Sequence, residues 1–169
     1  MLFEAVQFAV AAHAGQKRKF TGVPYIQHPL RVMSRTLLLP DVTESMAAAA
    51  VLHDVLEDCG VARQALEERF GAETAGLVAE LTNVSKVAHP EANRAARKRL
   101  DRDRILGISR NAKRIKLIDR IDNLRDIPEG EGFLKRYRAE SLLLLEVLRG
   151  ADAGLETELE RLLEEPDKE

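Results

Sequence analysis

A single cysteine, Cys59, stands among 169 residues. No intrachain disulfide can form, which suits a reducing cytoplasm. Neither sign of charge prevails: 26 Lys and Arg face 28 Asp and Glu, a net charge of −2, with a pI near 6.1. That balance excludes a global basic field of the kind that draws a protein to nucleic acid or an anionic membrane. Any attraction for phosphate has to come from a local patch. The N-terminus, MLFEAVQFAVAAHAGQKRK, lacks a basic lead, carries Glu4, and has its apolar run broken by Gln7 and His13. It reads as neither a signal peptide nor a membrane span. There is no convincing strand-like alternation, no internal repeat and no long low-complexity linker.

What is present is an ordinary globular balance, 45% hydrophobic and 32% charged, in a length that suits one domain with a sizeable core. Apolar residues fall at helical spacing through most of the chain, so an all-α fold is expected. Leu2 to His13 reads as a first helix ended by Gly15. Pro24 and Pro29 interrupt the next stretch, and Pro29 suits the first turn of a second helix running to about Leu38. A third helix is expected from Thr43, a plausible N-cap, to about Asp58, closed by Gly60. Further helices are expected over 61–69, 72–84, 92–106, 110–126 (capped by Ser109), 133–149 and 153–164. The segment 126–130 is a clear break, and 164–169 is expected to fray.

The third helix carries the chemistry. Ala47, Ala48, Ala49, Ala50, Val51, Leu52, Val55 and Leu56 are what a buried central helix would have, yet His53, Asp54, Glu57 and Asp58 interrupt them. Residues three and four apart share a helix face, so Glu57 lies near His53 and Asp54, and Asp58 near Asp54. Three carboxylates on one face repel each other, and burying them without a partner is costly. A bound cation resolves the conflict; the bland reading is a helix end in solvent. A second group lies in Ala112–Arg125, where Ile115, Ile118, Ile121 and Leu124 form a core stripe, Asp119 and Asn123 sit at i and i+4, and Lys116 lies one turn before Asp119. Taken alone, this helix reads as a solvated face with ordinary ion pairs. The third group is Pro24-Tyr25-Ile26-Gln27-His28-Pro29, where a lone His would usually be structural.

In this order, these segments resemble the hydrolase domain of the RelA/SpoT family, within the HD superfamily, and especially its stand-alone single-domain members. The matching pieces are Ala12-His13-Ala14-Gly15-Gln16-Lys17-Arg18-Lys19, Pro24 to Pro29, Leu52-His53-Asp54-Val55-Leu56-Glu57-Asp58, Phe70-Gly71 and Ile115 to Arg125. They cover about residues 1–127; the helices over about 131–165 carry no recognised motif. The resemblance implies one all-helical HD-domain bundle that hydrolyses the 3′-diphosphate of guanosine tetra- or pentaphosphate and releases pyrophosphate. It implies metal ligands His28, His53, Asp54 and Asp119. Such nitrogen and oxygen donors suit manganese, the family's usual metal, as well as iron or zinc. Binuclear HD enzymes use additional histidines; only His13 and His89 remain, so one metal is expected, with His13 bracing the first helix.

By the same resemblance Glu57 and Asp58 are the acid pair that accepts or relays the proton of the attacking water. Asn123 contacts the nucleotide near the metal, Arg18 stacks on the guanine base, and Lys19 contacts the nucleotide or its phosphates. Asp122 stands where other members often have His or Tyr. The chain stops too early to hold the synthetase domain of the long members, so synthesis of the nucleotide is not expected. The basic run Asn93-Arg94-Ala95-Ala96-Arg97-Lys98-Arg99 is either a phosphate clamp, through Arg94 and Lys98 on one face, or a solvated helix face. Two competing functions remain: the same metal chemistry on another nucleotide, such as a nucleoside monophosphate or NADPH, and a nucleotide-binding HD domain without turnover. In each case the partner is a small nucleotide, with no nucleic acid and no membrane, and the location is the cytoplasm.

Overall fold

The computed structural model describes residues 1–128, 130 and 132–164, with Lys86 described by its backbone alone. Among them the ordered elements are helices, with one isolated antiparallel bridge between Lys17 and Pro24. The fold is all-α, as the periodicity predicts. Its packing divides into two compact units, Met1–Thr82 and Asn83–Glu169. The C-terminal fraying expected over 164–169 lies, apart from Glu164, outside the described residues.

The first unit holds α1 (Leu2–Ala12), α2 (Gln27–Thr36), α3 (Glu44–Leu52), α4 (Val55–Asp58) and α5 (Arg63–Leu81). α3 is its centre. Met46 to Leu52 are fully buried, and the small side chains of Ala47 to Ala50 let α1, α2 and α5 all pack against one helix. Thr43 caps it as expected, its hydroxyl accepting from the Met46 N–H at 3.1 Å. Ala5 and Ala9 present the buried face of α1. Two boundaries differ from the sequence reading. α2 starts at Gln27, not Pro29, which costs nothing because the first-turn N–H groups have no intrahelical acceptor. The helix expected over 43–58 is broken at His53-Asp54, and α4 resumes after it. α5 is interrupted at Gly71 (φ 82°, ψ 162°), where the sequence separates two helical segments.

The second unit holds α6 (Ser85–Ala88), α7 (Arg94–Ile105), α8 (Arg110–Asp126), α9 (Gly132–Leu148) and α10 (Ala153–Glu164). The turn α6 falls in a stretch read as loop. Asp101 holds it to α7, accepting from the Ser85 hydroxyl at 2.8 Å and the Ser85 N–H at 3.3 Å. Ser109 caps α8, as expected. α8 packs against α9 and α10. Its stripe Ile115, Ile118, Ile121 and Leu124 is buried, but so are Arg114, Lys116, Asp119, Arg120 and Asp122. The solvated-face reading of this helix is therefore corrected: its charges lie inside, and they pair there.

Candidate active site

The break between α3 and α4 builds the site in the first unit. His53, at the C-terminal end of α3, turns its Nδ1 back to the Ala50 carbonyl oxygen at 2.8 Å. A carbonyl only accepts, so Nδ1 carries the proton and the lone pair of the neutral ring sits on Nε2. That Nε2 lies 2.9 Å from Oδ2 of Asp54. His28, fully buried in the first turn of α2, brings its own Nε2 within 3.8 Å of the same oxygen. The two rings are 5.1 Å apart and nearly perpendicular. Two donors each about 2.1 Å from one ion at a right angle stand about 3 Å apart. The donor set His28, His53 and Asp54 thus fits a divalent cation, a charge that its facing lone pairs call for.

Tyr25 organises this group. Its hydroxyl donates to Oδ2 of Asp54 at 2.6 Å. Its ring lies 4.9 Å from His13 and 5.9 Å from His28, with the Arg18 guanidinium over it at 5.4 Å. No role for this side chain was read from the sequence, although it sits three residues before His28 in the Pro-Tyr-Ile-Gln-His-Pro segment. The bonds from the Arg18 N–H to the Val23 carbonyl (2.9 Å) and from the Gly22 N–H to the Arg18 carbonyl (3.0 Å) fold the basic segment back beside Tyr25. Lys19 points its ammonium over the Phe20 ring at 4.9 Å. His13 is buried at the end of α1, 2.8 Å from Gln16 Oε1 and 3.3 Å from the Cys59 sulfur. It braces α1, as expected.

Glu57 and Asp58 occupy the single turn of α4. Although Asp58 is exposed as a residue, desolvation of its carboxyl group, and then the charge of Asp54, push its pKa upward. His13, the Tyr25 hydroxyl and His53 oppose the shift without cancelling it. A carboxyl raised in this way is a better proton acceptor near neutral pH.

In the second unit, the buried Asp119 has both oxygens engaged. Asn123 donates to Oδ1 at 2.5 Å, and the Lys116 ammonium lies 3.1 Å from Oδ2. This is the i, i+4 pair expected from the sequence, oriented as an outer set of hydrogen bonds orients a metal-binding carboxylate. Arg94 and Lys98 line a cavity of about 360 Å³ in this unit, together with Arg102, Arg136 and Glu140. Burial, and then the nearby Arg120, push the Lys98 pKa below the usual lysine range, with Asp101 pulling the other way. The two candidate clamp residues therefore share a basic cavity, but Arg94 is already paired with Glu140, which no sequence spacing announced.

A helical chain with paired imidazoles and an Asp at the His-Asp dipeptide defines a class, and comparison with known proteins agrees with it. The family model for the HD domain matches residues 5–145, and the chain belongs to that family. It is 34% identical over 167 residues to the guanosine-3′,5′-bis(diphosphate) 3′-pyrophosphohydrolase MESH1 of Drosophila melanogaster, covering 94% of this chain and 90% of that protein. Human MESH1 is 33% identical, with 97% and 93% covered. A solved structure described as a metazoan ortholog of SpoT that hydrolyzes ppGpp superposes with a TM-score of 0.83, at 32% identity, covering 95% of this chain and 92% of that one.

Proposed function

We propose that this HD protein is a metal-dependent phosphohydrolase that cleaves the 3′-diphosphate from guanosine tetra- or pentaphosphate and releases pyrophosphate. The observation that carries the reading is the pair of buried imidazoles, His28 and His53, facing the half-buried Asp54, whose nitrogen and oxygen atoms suit a divalent ion. Asp119, buried and oriented by Asn123 and Lys116, is assigned as the fourth ligand. A single manganese is the proposed ion, and it would supply a Lewis acid for the phosphate oxygens and for the attacking water. One HD family model runs through both compact units, which supports reading them as one functional domain.

The residues divide the remaining work. Asp58, with its raised pKa, or Glu57 beside it takes the proton of the attacking water. The planar guanidinium of Arg18, held over Tyr25, is assigned to the guanine base, with Lys19 on the nucleotide or its phosphates. Asn123 contacts the nucleotide beside Asp119, and Lys98 faces its phosphates from the basic cavity, which Arg94 lines in its pair with Glu140. Among the described residues no helix is long and apolar enough to cross a membrane, and with one cysteine the chain suits the cytoplasm.

The test is turnover of guanosine tetraphosphate with and without added manganese, read by product and alongside elemental analysis. The reading requires metal-dependent release of pyrophosphate. Release of orthophosphate from a nucleoside monophosphate or NADPH instead would keep the chemistry and replace the substrate. Binding of guanosine tetraphosphate by the metal-loaded protein without turnover would make it a binding domain. His53→Ala and Asp54→Ala should each lose metal and activity together; retained metal in either variant defeats the ligand assignment.

A further inference from the structure

The basic cavity of the second unit contains a carboxylate that the hydrolase reading does not need. Arg94, Lys98 and Arg102 of α7 and Arg136 of α9 surround it, over an apolar side formed in part by Leu143, with Glu140 of α9 as the one acid among the described lining residues. Glu140 takes one edge of the Arg94 guanidinium. Nε of Arg94 donates to Oε1 at 2.7 Å and a terminal nitrogen donates to Oε2 at 2.8 Å. This is the two-bond geometry with which arginine otherwise grips a phosphate. Glu140 is the more buried partner, with its side chain 14% exposed against 41% for Arg94. The Phe133 ring backs both Arg94, at 5.5 Å, and Arg136, at 5.3 Å, which fixes where the two guanidiniums stand.

A phosphorylated nucleotide, the ligand class taken from the proposed function, meets three cations there that are not committed to Glu140, and one that is. We propose that Glu140 is a specificity-determining residue of this cavity, an internal stand-in for phosphate that withholds Arg94 and so restricts the cavity to short phosphate chains. A triphosphate brings up to four negative charges, one more than Lys98, Arg102 and Arg136 can offset. To use Arg94 it must expel Glu140 from a two-bond contact, leaving that carboxylate desolvated among the incoming charges. A single phosphate makes no such demand.

The experiment is calorimetric titration of the full-length, metal-loaded protein with GMP, GDP and GTP. With Glu140→Gln, GTP affinity should rise about tenfold while GMP affinity changes less than about twofold, the difference expected from releasing one charge-assisted bidentate contact. In the Glu140→Gln background, adding Arg94→Gln should abolish the gain. Glu140→Asp keeps the charge but shortens the reach, and should give part of the gain; with the double variant it decides the matter if Glu140→Gln fails to fold. An unchanged GTP-to-GMP ratio overturns the proposal, as does a gain that survives loss of Arg94 or an absence of measurable GTP binding in every variant. Glu140-dependent selection of GTP by a protein that leaves guanosine tetraphosphate intact would keep this inference and defeat the hydrolase. Hydrolysis with an unaltered ratio would do the reverse.

Discussion

Three polar side chains converge on Oδ2 of Asp54. Tyr25 donates to it at 2.6 Å, His53 Nε2 stands 2.9 Å away and His28 Nε2 3.8 Å away. A hydrogen bond from outside the ligand set fixes which oxygen faces the metal, and losing such a bond typically costs 10- to 100-fold in metal affinity or activity. Tyr25→Phe keeps the ring that packs on His13 and His28 and removes only the hydroxyl. We expect it to weaken manganese binding by about 10- to 100-fold while far-UV circular dichroism and the melting curve of the metal-free protein stay as they are. Wild-type affinity in that variant would reduce Tyr25 to packing. Of the proposed ligands, only His53 and Asp54 stood out by their own cost inside an apolar helix; His28 and Asp119 were named through the family resemblance, since each taken alone reads as structural or solvated. Tyr25 was not legible in the sequence, because its partner lies 29 residues away and a tyrosine beside a proline violates no local rule. Arg94 is the same case reversed. Its basic run was visible, but Glu140, 46 residues on, is what decides how it can be used.

At the scale of the element, the instructive failure is the helix expected over 43–58. Every local preference there favours continuity, with good helix formers on both sides of the His-Asp dipeptide. The interruption is recorded in the His53 ring reaching back to Ala50 and in the departure of Asp54 to φ −101°, ψ −4°, neither of which propensity encodes. α8 failed in the opposite sense: its period was right, but charges that read as solvated are buried beside α9 and α10. The pairing of α7 with α9 gives a pH test of such an interior charge. Burial alone would raise the Glu140 carboxyl, but the two Arg94 bonds, then the charges of Arg94, Lys98 and Arg120, outweigh it and hold its pKa below the usual glutamate range. An acid depressed on folding binds more protons when unfolded, so its stabilisation is fully present above the ordinary value of about 4.3 and is lost as pH falls through the lower folded value. The melting temperature of the wild type minus that of Glu140→Gln should therefore be constant from neutral pH to about 5 and shrink below it. A difference that does not change with pH would mean that the Arg94 pair adds shape and no charge.

Across the whole molecule, the HD match runs over 5–145, so the end of α9 and all of α10 lie beyond it. These are the helices in which no motif was recognised. Leu155 and Leu159 of α10 are buried, and α10 lies against α8 and α9, the helix that carries Asp119 and the helix that follows it. The sequence showed that these segments are helical but not that they are covers, because their apolar stripes name no partner. One measurement tests the ligand assignment at this scale. A metal that binds the folded chain and not the unfolded one stabilises it by mass action, by about 2.7 kcal/mol when free metal exceeds its dissociation constant a hundredfold. For a chain of this length that corresponds to about 5–10 °C in melting temperature. Manganese should raise the transition by that amount, a chelator should reverse the rise, and both His53→Ala and Asp119→Asn should diminish it. Asp119→Asn keeps the size of the side chain, so its metal-free melting reports any packing cost separately from the lost donor. If Asp119→Asn retains the full metal-induced rise while His53→Ala loses it, Asp119 is an interior partner of Lys116 and Asn123, and the metal is held without it.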